Sequence, residues 1–522
     1  MGSEATIHPV FIKAAGLRRR NPGRAIGRPC PHLAREGGAG KPGSKRGRGG
    51  ATRIFSSPRR VPPLLRRIGG YKTRQTRPQG GRPNATVPVL ARQLLPILAL
   101  LTSTAFLLTA NGLHALLLPL RGTAEHFSTT EIGLVGTGWA AGFVLGCLLA
   151  PAIVQRVGHI RAFSAAAASA AIIILLNGLL VLPASWILLR VCSGFALAGA
   201  FMIIESWLNE RATNENRGTI FSLYLTVTYV AITAGQFLVA AADPRRPASF
   251  MLGAIFFCLA VLPTALSTAQ SPRPLTRARL DLRKLFGNSP VAFVTVTMIG
   301  VVNGAFGTLA AVFGVETGLS TGLIALMMGI TIIAGAITQL PAGRLSDRTD
   351  RRYVIAGAAL SSAATGLAIY LLEPVDATAL LVLTGIYGAL TYPLYGLAVA
   401  HANDFAEPDD FVAVSGGLLL LYGLGTMVGP LAAGFVMAHL GPAALFLVTA
   451  TGHTLIAIYA ILRTFKRAPV PEEVRGPFQT VPISRALTTG TALLDPRAEE
   501  PAAGGDELEN TAERDPELAE AE

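Results

Sequence analysis

Hydrophobic and polar positions divide the chain into a long apolar body between two polar ends. From residue 93 to 468, apolar stretches alternate with short polar turns. Twelve stretches stand out, near 94–120, 130–154, 162–182, 184–207, 217–241, 249–269, 291–314, 319–341, 353–373, 376–400, 411–438 and 441–463. Each approaches the ~20 residues that an α-helix needs to cross a bilayer. Glycine is frequent inside them, as expected where helices pack closely without help from water. The pattern predicts an all-α membrane protein with twelve transmembrane helices.

Charge in the loops predicts an orientation. If the first segment starts inside, the inner loops and the C-terminal flank hold sixteen Lys/Arg, among them Arg156, Arg161, Arg348, Arg351 and Arg352. The outer loops hold only Arg121, Arg245 and Arg246. By the positive-inside rule both termini are expected in the cytoplasm. Trp186 and Trp207, near opposite ends of the fourth segment, are expected at the two membrane interfaces.

The ends differ in sign. Residues 1–92 carry 21 Lys/Arg against two acids, and residues 471–522 carry 13 acids against four Lys/Arg. Neither shows a sustained apolar period, and both are read as disordered cytoplasmic tails, spanning 1–92 and 469–522. The basic tail is read as solvated chain or as an early start codon, with no nucleic-acid partner expected. The net charge of +14 is therefore a property of the ends, not of the body. The four cysteines form no CxxC pair and no His/Cys cluster, so neither a metal site nor a disulfide framework is expected.

The apolar body repeats itself. At an offset of 192, Asn111-Gly112 matches Asn303-Gly304, Ser128-Thr129 matches Ser320-Thr321, and Arg156 matches Arg348. At 194, Gly194 matches Gly388, Asn209-Glu210 matches Asn403-Asp404, and Gly235 matches Gly429. An ordered series with a single two-residue slip marks duplication. Two pseudo-symmetric six-helix bundles follow, at 93–270 and 291–468, joined by a basic, proline-bounded cytoplasmic linker at 271–290.

Two parallel six-helix halves are the architecture of major facilitator transporters, and the motifs extend the resemblance. Gly343-Arg-Leu-Ser-Asp347-Arg348-Thr-Asp350-Arg351-Arg352 resembles the signature of the major facilitator superfamily between helices 8 and 9. The matching loop between helices 2 and 3, Pro151-Ala-Ile-Val-Gln155-Arg156, has lost the Gly and the Asp. Arg190-Val-Cys-Ser-Gly194 resembles the family's Arg-x-x-x-Gly motif in helix 4, with Ser193 for the usual Gln. Glu205-Ser206-Trp207-Leu208-Asn209, Asn216-Arg217-Gly218 and Tyr392-Pro393-Leu394-Tyr395 resemble the YcaD-type branch. The resemblance implies a secondary transporter of the bacterial inner membrane, monomeric and surrounded by lipid, moving a small-molecule solute by alternating access. It implies no cofactor and no enzymatic chemistry. Gly425-Thr-Met-Val-Gly429-Pro430 resembles an antiporter motif but lies in the wrong half for an exporter.

The resemblance also marks Gln155, Arg156, Gly343, Asp347, Arg348 and Arg351 as a conformational gate. An Asp at a helix end pairs with Arg and with a neighbouring helix N-terminus. Asp347 can do this, whereas Gln155 offers only neutral hydrogen bonds. For the cavity the candidates are Asn111, His114, Arg190, Tyr229, Gln236, Asn303, Tyr387 and Tyr395. Asn111 and Asn303 are read either as a paired grip on a polar solute or as packing contacts. His114, one turn beyond Asn111, is either a proton carrier or a structural histidine. Arg190 must face a cavity, a partner or an interface, because burying its charge in a bilayer is costly. The tyrosines and Gln236 offer ring, hydroxyl and amide contacts, and His453 is read as peripheral.

Proton coupling is one option, with Arg190, His114, Glu131 and Glu205 as the ionisable groups near the spans. The sequence has no Walker lysine loop, GxxxxGK[ST]. The alternative to a transporter is a receptor or scaffold that keeps the fold without transport.

Since the inner loops hold their own positive charge, removing residues 1–85 should leave insertion and orientation unchanged. Cysteine-accessibility mapping of both loop sets checks this, and inverted labelling would contradict it.

Overall fold

The computed structural model describes residues 89–212, 216–241, 243–266, 281–374, 376–406, 411–468, 470–471 and 475–480. The expectations for 1–88, 481–522 and most of the join between the halves lie outside the described residues.

The first half contains α1 (Val89–Ala124), α2 (Thr129–Val157), α3 (His159–Leu179), α4 (Pro183–Arg211), α5 (Arg217–Ala241) and α6 (Pro247–Ala265). A short helix, α7 (Leu282–Asn288), leads into the second half. There follow α8 (Pro290–Glu316), α9 (Thr321–Arg348), α10 (Arg351–Leu372), α11 (Ala377–Thr391), α12 (Pro393–Asn403), α13 (Phe411–Leu440) and α14 (Ala444–Thr464). Among the described residues, twelve spans are long and apolar enough to cross a membrane. The tenth, Ala377–Asn403, is α11 and α12 taken together. Pro393 divides it, because a proline has no N–H for the preceding turn.

Local chemistry sets the helix boundaries. Ser128 caps α2 and Ser320 caps α9, 192 residues apart, with φ −65° in both and ψ of 153° and 154°. Glu131 closes a capping box on Ser128, its carboxylate accepting from the Ser128 N–H at 2.8 Å. This accounts for an acid at the start of the second span. Prolines open α4, α6, α8 and α12, where a missing N–H costs nothing. The linker expected at 271–290 includes α7, whose N-cap Asp281 accepts from Lys284 N–H at 2.9 Å.

Each half has its own apolar core. One is built around Leu107, Leu113, Phe163, Phe201 and Phe257. The other is built around Val296, Ile299, Phe306, Leu394 and Phe446. The sequence repeat recurs in space as matched backbone approaches. A Cβ on Gly112 would strike the Ile232 carbonyl, and one on Gly304 would strike Thr426. Gly194 lies against the Trp139 carbonyl, as Gly388 does against Thr331. Gly235 lies against the carbonyl of Thr109, as Gly429 does against Val301. All six contacts obey the 192 and 194 offsets read from sequence.

The halves meet mainly through α2 with α13 and α5 with α9, with further contacts of α8 to α1 and α2. The end at which α2 and α9 finish is the near end, and the opposite one is the far end. Thr129 Oγ1 donates to the Gly434 carbonyl and Thr137 Oγ1 to the Met427 carbonyl, each at 2.8 Å. Gly133 fits against the Pro430 carbonyl between them. Val144 touches the α13 backbone at Gly423, so the α2–α13 seam runs from the far end to mid-depth.

Two expectations about side chains are corrected. Trp186 and Trp207 are 1% and 2% exposed, inside the first bundle rather than at interfaces. The Trp186 indole donates to the Asn177 carbonyl at 3.0 Å, and Trp207 lies beside His159. His453 is not peripheral but fully buried, 3.2 Å from Thr391 Oγ1.

Gly235→Leu and Gly429→Leu should each force apart a helix pair in contact through backbone. Overpacking of this kind costs about 1–3 kcal/mol, so both variants should unfold at clearly lower temperature in detergent. Gly357 has open space around its missing Cβ, and Gly357→Ala should leave the transition unchanged or slightly raised. Equal behaviour of all three would contradict the matched backbone contacts.

Candidate functional site

Two groups of polar side chains interrupt the apolar packing, one at the near end of the second half and one near mid-depth.

The near-end group is centred on Arg351, whose side chain is 1% exposed. Its Nε donates to Asp404 Oδ2 at 2.7 Å, and its Nη1 donates to Ser346 Oγ at 2.8 Å and Asp347 Oδ1 at 2.9 Å. One guanidinium therefore ties the end of α9 to the start of α10 and the end of α12. Arg352 is bound separately: its Nη1 donates to the carbonyls of Arg463 and Arg467, which fixes α10 against the end of α14. Asp350 caps α10 and accepts from Arg352 Nη2 at 2.6 Å. Burial works against the Asp350 charge, but hydrogen bonds from Arg352 hold its carboxyl below the usual range. Asp404 behaves the other way. Burial pushes its carboxyl above the usual range, and the pull of Arg351 only partly offsets this.

The first half carries a reduced version of this group. At the 192 and 194 offsets, Pro151, Gln155, Gly158, His159 and Glu210 stand where the second half has Gly343, Asp347, Asp350, Arg351 and Asp404. Gly158, with φ +85°, turns the chain where Asp350 caps a helix. Gln155, Arg156 and Glu210 are exposed, as is Arg348. Of the six residues marked as a gate, the structure thus brings together Gly343, Asp347 and Arg351, all in one half.

At mid-depth the eight cavity candidates separate. Asn303 donates to Tyr422 Oη at 3.4 Å, and the Tyr422 ring meets that of Tyr395 at 5.2 Å, edge to face. Tyr229 accepts from Gln339 Nε2 at 3.4 Å, a side-chain link between α5 and α9 and so between halves. Asn111 is nearly buried at the position in α1 equivalent to Asn303. Gln236 is 5% exposed, with its Oε1 unpaired, beside the α1–α5 contact at Gly235.

The other three are drawn into the bundles. His114 is fully buried, its Nε2 3.1 Å from Asn177 Oδ1 on α3. Arg190 does not reach the outer surface but lies 7% exposed with its guanidinium 5.7 Å from the Trp139 ring centre. Tyr387 is enclosed by Phe306, Phe446 and His453. Arg190 was marked by its motif, His114 by its place one turn beyond Asn111 and Tyr387 by its residue type, and in the structure all three are buried.

Sequence reasoning missed Gln339 and Tyr422 as partners in this group. Gln339, an amide inside a glycine-rich apolar segment, was the available signal. Glu205 was marked as an ionisable residue and as part of the YcaD-type motif, but its partner was not. Glu205 is fully buried and accepts a hydrogen bond from Tyr224 Oη at 2.9 Å. Among the described residues no group of three or more His, Cys, Asp or Glu could hold a metal.

Twelve spans in two pseudo-symmetric bundles, with polar contacts between halves and a charged cluster at one end, define a membrane transporter fold. The chain matches the Major Facilitator Superfamily over residues 100–403 and 291–498, and it belongs to that family. It is 26% identical over 378 residues to the uncharacterized MFS-type transporter YcaD of Escherichia fergusonii, covering 72% of this chain and 97% of that one. The YcaD of Escherichia coli O17:K52:H18 is 27% identical over 379 residues, with the same coverage. The chain is therefore a YcaD-like transporter family member and an integral membrane protein. In fold it is similar to the nucleoside transporter NupG, with TM-score 0.60 at 15% identity over 71% of this chain and 99% of that one. It is also similar to a bacterial homologue of the human lysosomal transporter Spinster, with TM-score 0.59 at 15% identity over 73% and 97%.

Because burial outweighs the pairing at Asp404, the Arg351–Asp404 bridge should be costly to break and inexpensive to replace. Arg351→Met alone strands a buried carboxylate, a loss of about 3–5 kcal/mol for such pairs. Adding Asp404→Leu should recover most of that loss, as read by thermal unfolding of the purified variants. No recovery in the double variant would contradict this reading.

Proposed function

We propose that this protein moves a small polar solute across the membrane by alternating access, the two bundles rocking about a mid-depth site. The observation that carries the reading is the seam between halves. Its α2–α13 contacts, from Thr129–Gly434 to Val144–Gly423, close the far end and reach mid-depth. Closed at one end, such an arrangement is one of the two states that alternating access requires. The positive-inside count makes the near end cytoplasmic, with both termini there and the inner membrane of a bacterium as the location.

The binding groups proposed are neutral: Asn111, Asn303, Tyr422, Tyr395, Tyr229, Gln236 and Gln339. Amides and phenols at mid-depth suit a solute with several hydrogen-bonding groups and a face for ring contact. Coupling to protons would fall to Glu205, a fully buried carboxylate that accepts from Tyr224 Oη.

Uptake into proteoliposomes with a panel of labelled polar solutes tests the proposal. Folded protein that moves none of them would overturn it. For a solute that is moved, Asn111→Ala and Asn303→Ala should each weaken apparent affinity several-fold, since one hydrogen bond is worth about 0.5–1.5 kcal/mol net. If both grip one molecule, their effects should be coupled. Lower thermal stability with unchanged affinity would make both residues packing contacts.

A further inference from the structure

The signature loop of the second half is covered by the chain's own C-terminal segment. Residues 475–480 run across the end of α9 and the start of α10 and touch them at four points. Arg475 Nη1 donates to the Thr349 carbonyl at the C-cap of α9, where helix carbonyls lack partners and a positive charge is favoured. The Gly476 carbonyl accepts from Arg351 Nη2 at 2.5 Å. The Phe478 N–H is shared by both Asp347 oxygens at 3.1 Å. The Phe478 ring then lies on Gly343 so closely that a Cβ there would overlap it. The segment thus engages the Gly, the Asp and the Arg of the signature together, mostly through its own backbone.

We infer that residues 475–480 form an intramolecular strap that holds the far-end-closed state by occupying the surface the second half would need to close the near end. Gly343 gives α9 a flat patch at its near end, and Asp347 beside it remains about one-third exposed on its side chain. Such a patch admits one close neighbour, either the Phe478 ring or a helix of the first half, but not both. The strap fits only one copy of the signature. In the other copy Pro151, Gln155 and His159 stand in place of Gly343, Asp347 and Arg351, and they offer neither the flat patch, nor the carboxylate, nor the guanidinium. Release of the strap is therefore a step in closing the near end, and anything that binds the C-terminal segment would raise the rate of that step.

The inference rests on the alternating-access reading and is tested separately from it. Cysteines replacing exposed Arg161 and Tyr353, 192 residues apart at the near end, would carry spin labels in a background lacking Cys30, Cys147, Cys192 and Cys258. A second pair at Glu125 and Thr317 reports the far end. In nanodiscs, Phe478→Ala and truncation after residue 469 should each raise the ratio of short to long near-end distances about three-fold or more. Asp347→Asn should do likewise, and a peptide of residues 470–482 added to the truncated protein should reverse its shift. Two distances whose ratio is the same with and without Phe478, in protein of unchanged thermal stability, would overturn the strap. A single distance at both ends in every variant would overturn alternating access and the strap with it.

Discussion

Inside a bilayer, apolar side chains gain little by leaving lipid for each other, so helices are held by shape and by the few polar contacts available. In this chain the shape is supplied by glycine placed where one backbone meets another. Gly112 and Gly235 bring α1 and α5 together, and Gly304 and Gly429 do the same for α8 and α13. Gly194 and Gly388 set the α2–α4 and α9–α11 contacts. These approaches fix how deep each helix sits, and through it the depth of Asn111, Asn303 and Tyr422. The charged cluster at the near end depends on the same placement, since Arg351 reaches Asp404 only if α10 starts and α12 ends at matching heights.

The repeat explains the architecture, and its failures locate the specialised chemistry. Where the two copies agree, many of the shared residues are glycines and caps, which build helices and contacts. Where they disagree, one copy has kept charge and the other has lost it. Asp347, Arg351 and Asp404 form a bonded set beside the separate Asp350–Arg352 pair, whereas Gln155, Gly158 and His159 stand in place of Asp347, Asp350 and Arg351, and Glu210 is exposed. A duplication that stayed symmetric would place equal charge clusters at both signature loops. Here the charged surface, and the backbone segment bound to it, belong to one half.

Helix number and the two-bundle arrangement were legible because they rest on span length and on an ordered repeat, both properties of the chain itself. The near-end cluster was legible in part: Gly343, Asp347 and Arg351 were marked, but Asp404 and Phe478 were not. Their contacts join residues 53 and 131 positions apart, and no periodicity reports such closure. The mid-depth polar group was least legible. His114 and Tyr387 have the right chemistry but lie on faces turned toward α3 and α14, and a helix with apolar residues all round gives no moment to reveal that. The pairings of Gln339 with Tyr229 and of Tyr422 with Asn303 were hidden for the same reason, although Gln339 itself stood out as an amide in an apolar segment.

The seam and the near-end cluster differ in the kind of interaction they use, and the difference bears on how a two-state protein would move. The seam between halves is made of threonine hydroxyls on helix carbonyls, glycine contacts and one tyrosine–glutamine bond. Interhelical hydrogen bonds of this kind average only about 0.6 kcal/mol in a membrane. The ion pairs of Arg351 and Arg352, by contrast, lie within the second half. Strong interactions thus keep a bundle rigid, while weak neutral ones join it to its partner. Among the described residues, opening the seam breaks no buried ion pair and leaves each bundle intact. In the alternating-access reading, this division lets the closed and open arrangements lie close in free energy. A small bias, such as a solute between the amides or a strap across Gly343, is then enough to choose between them.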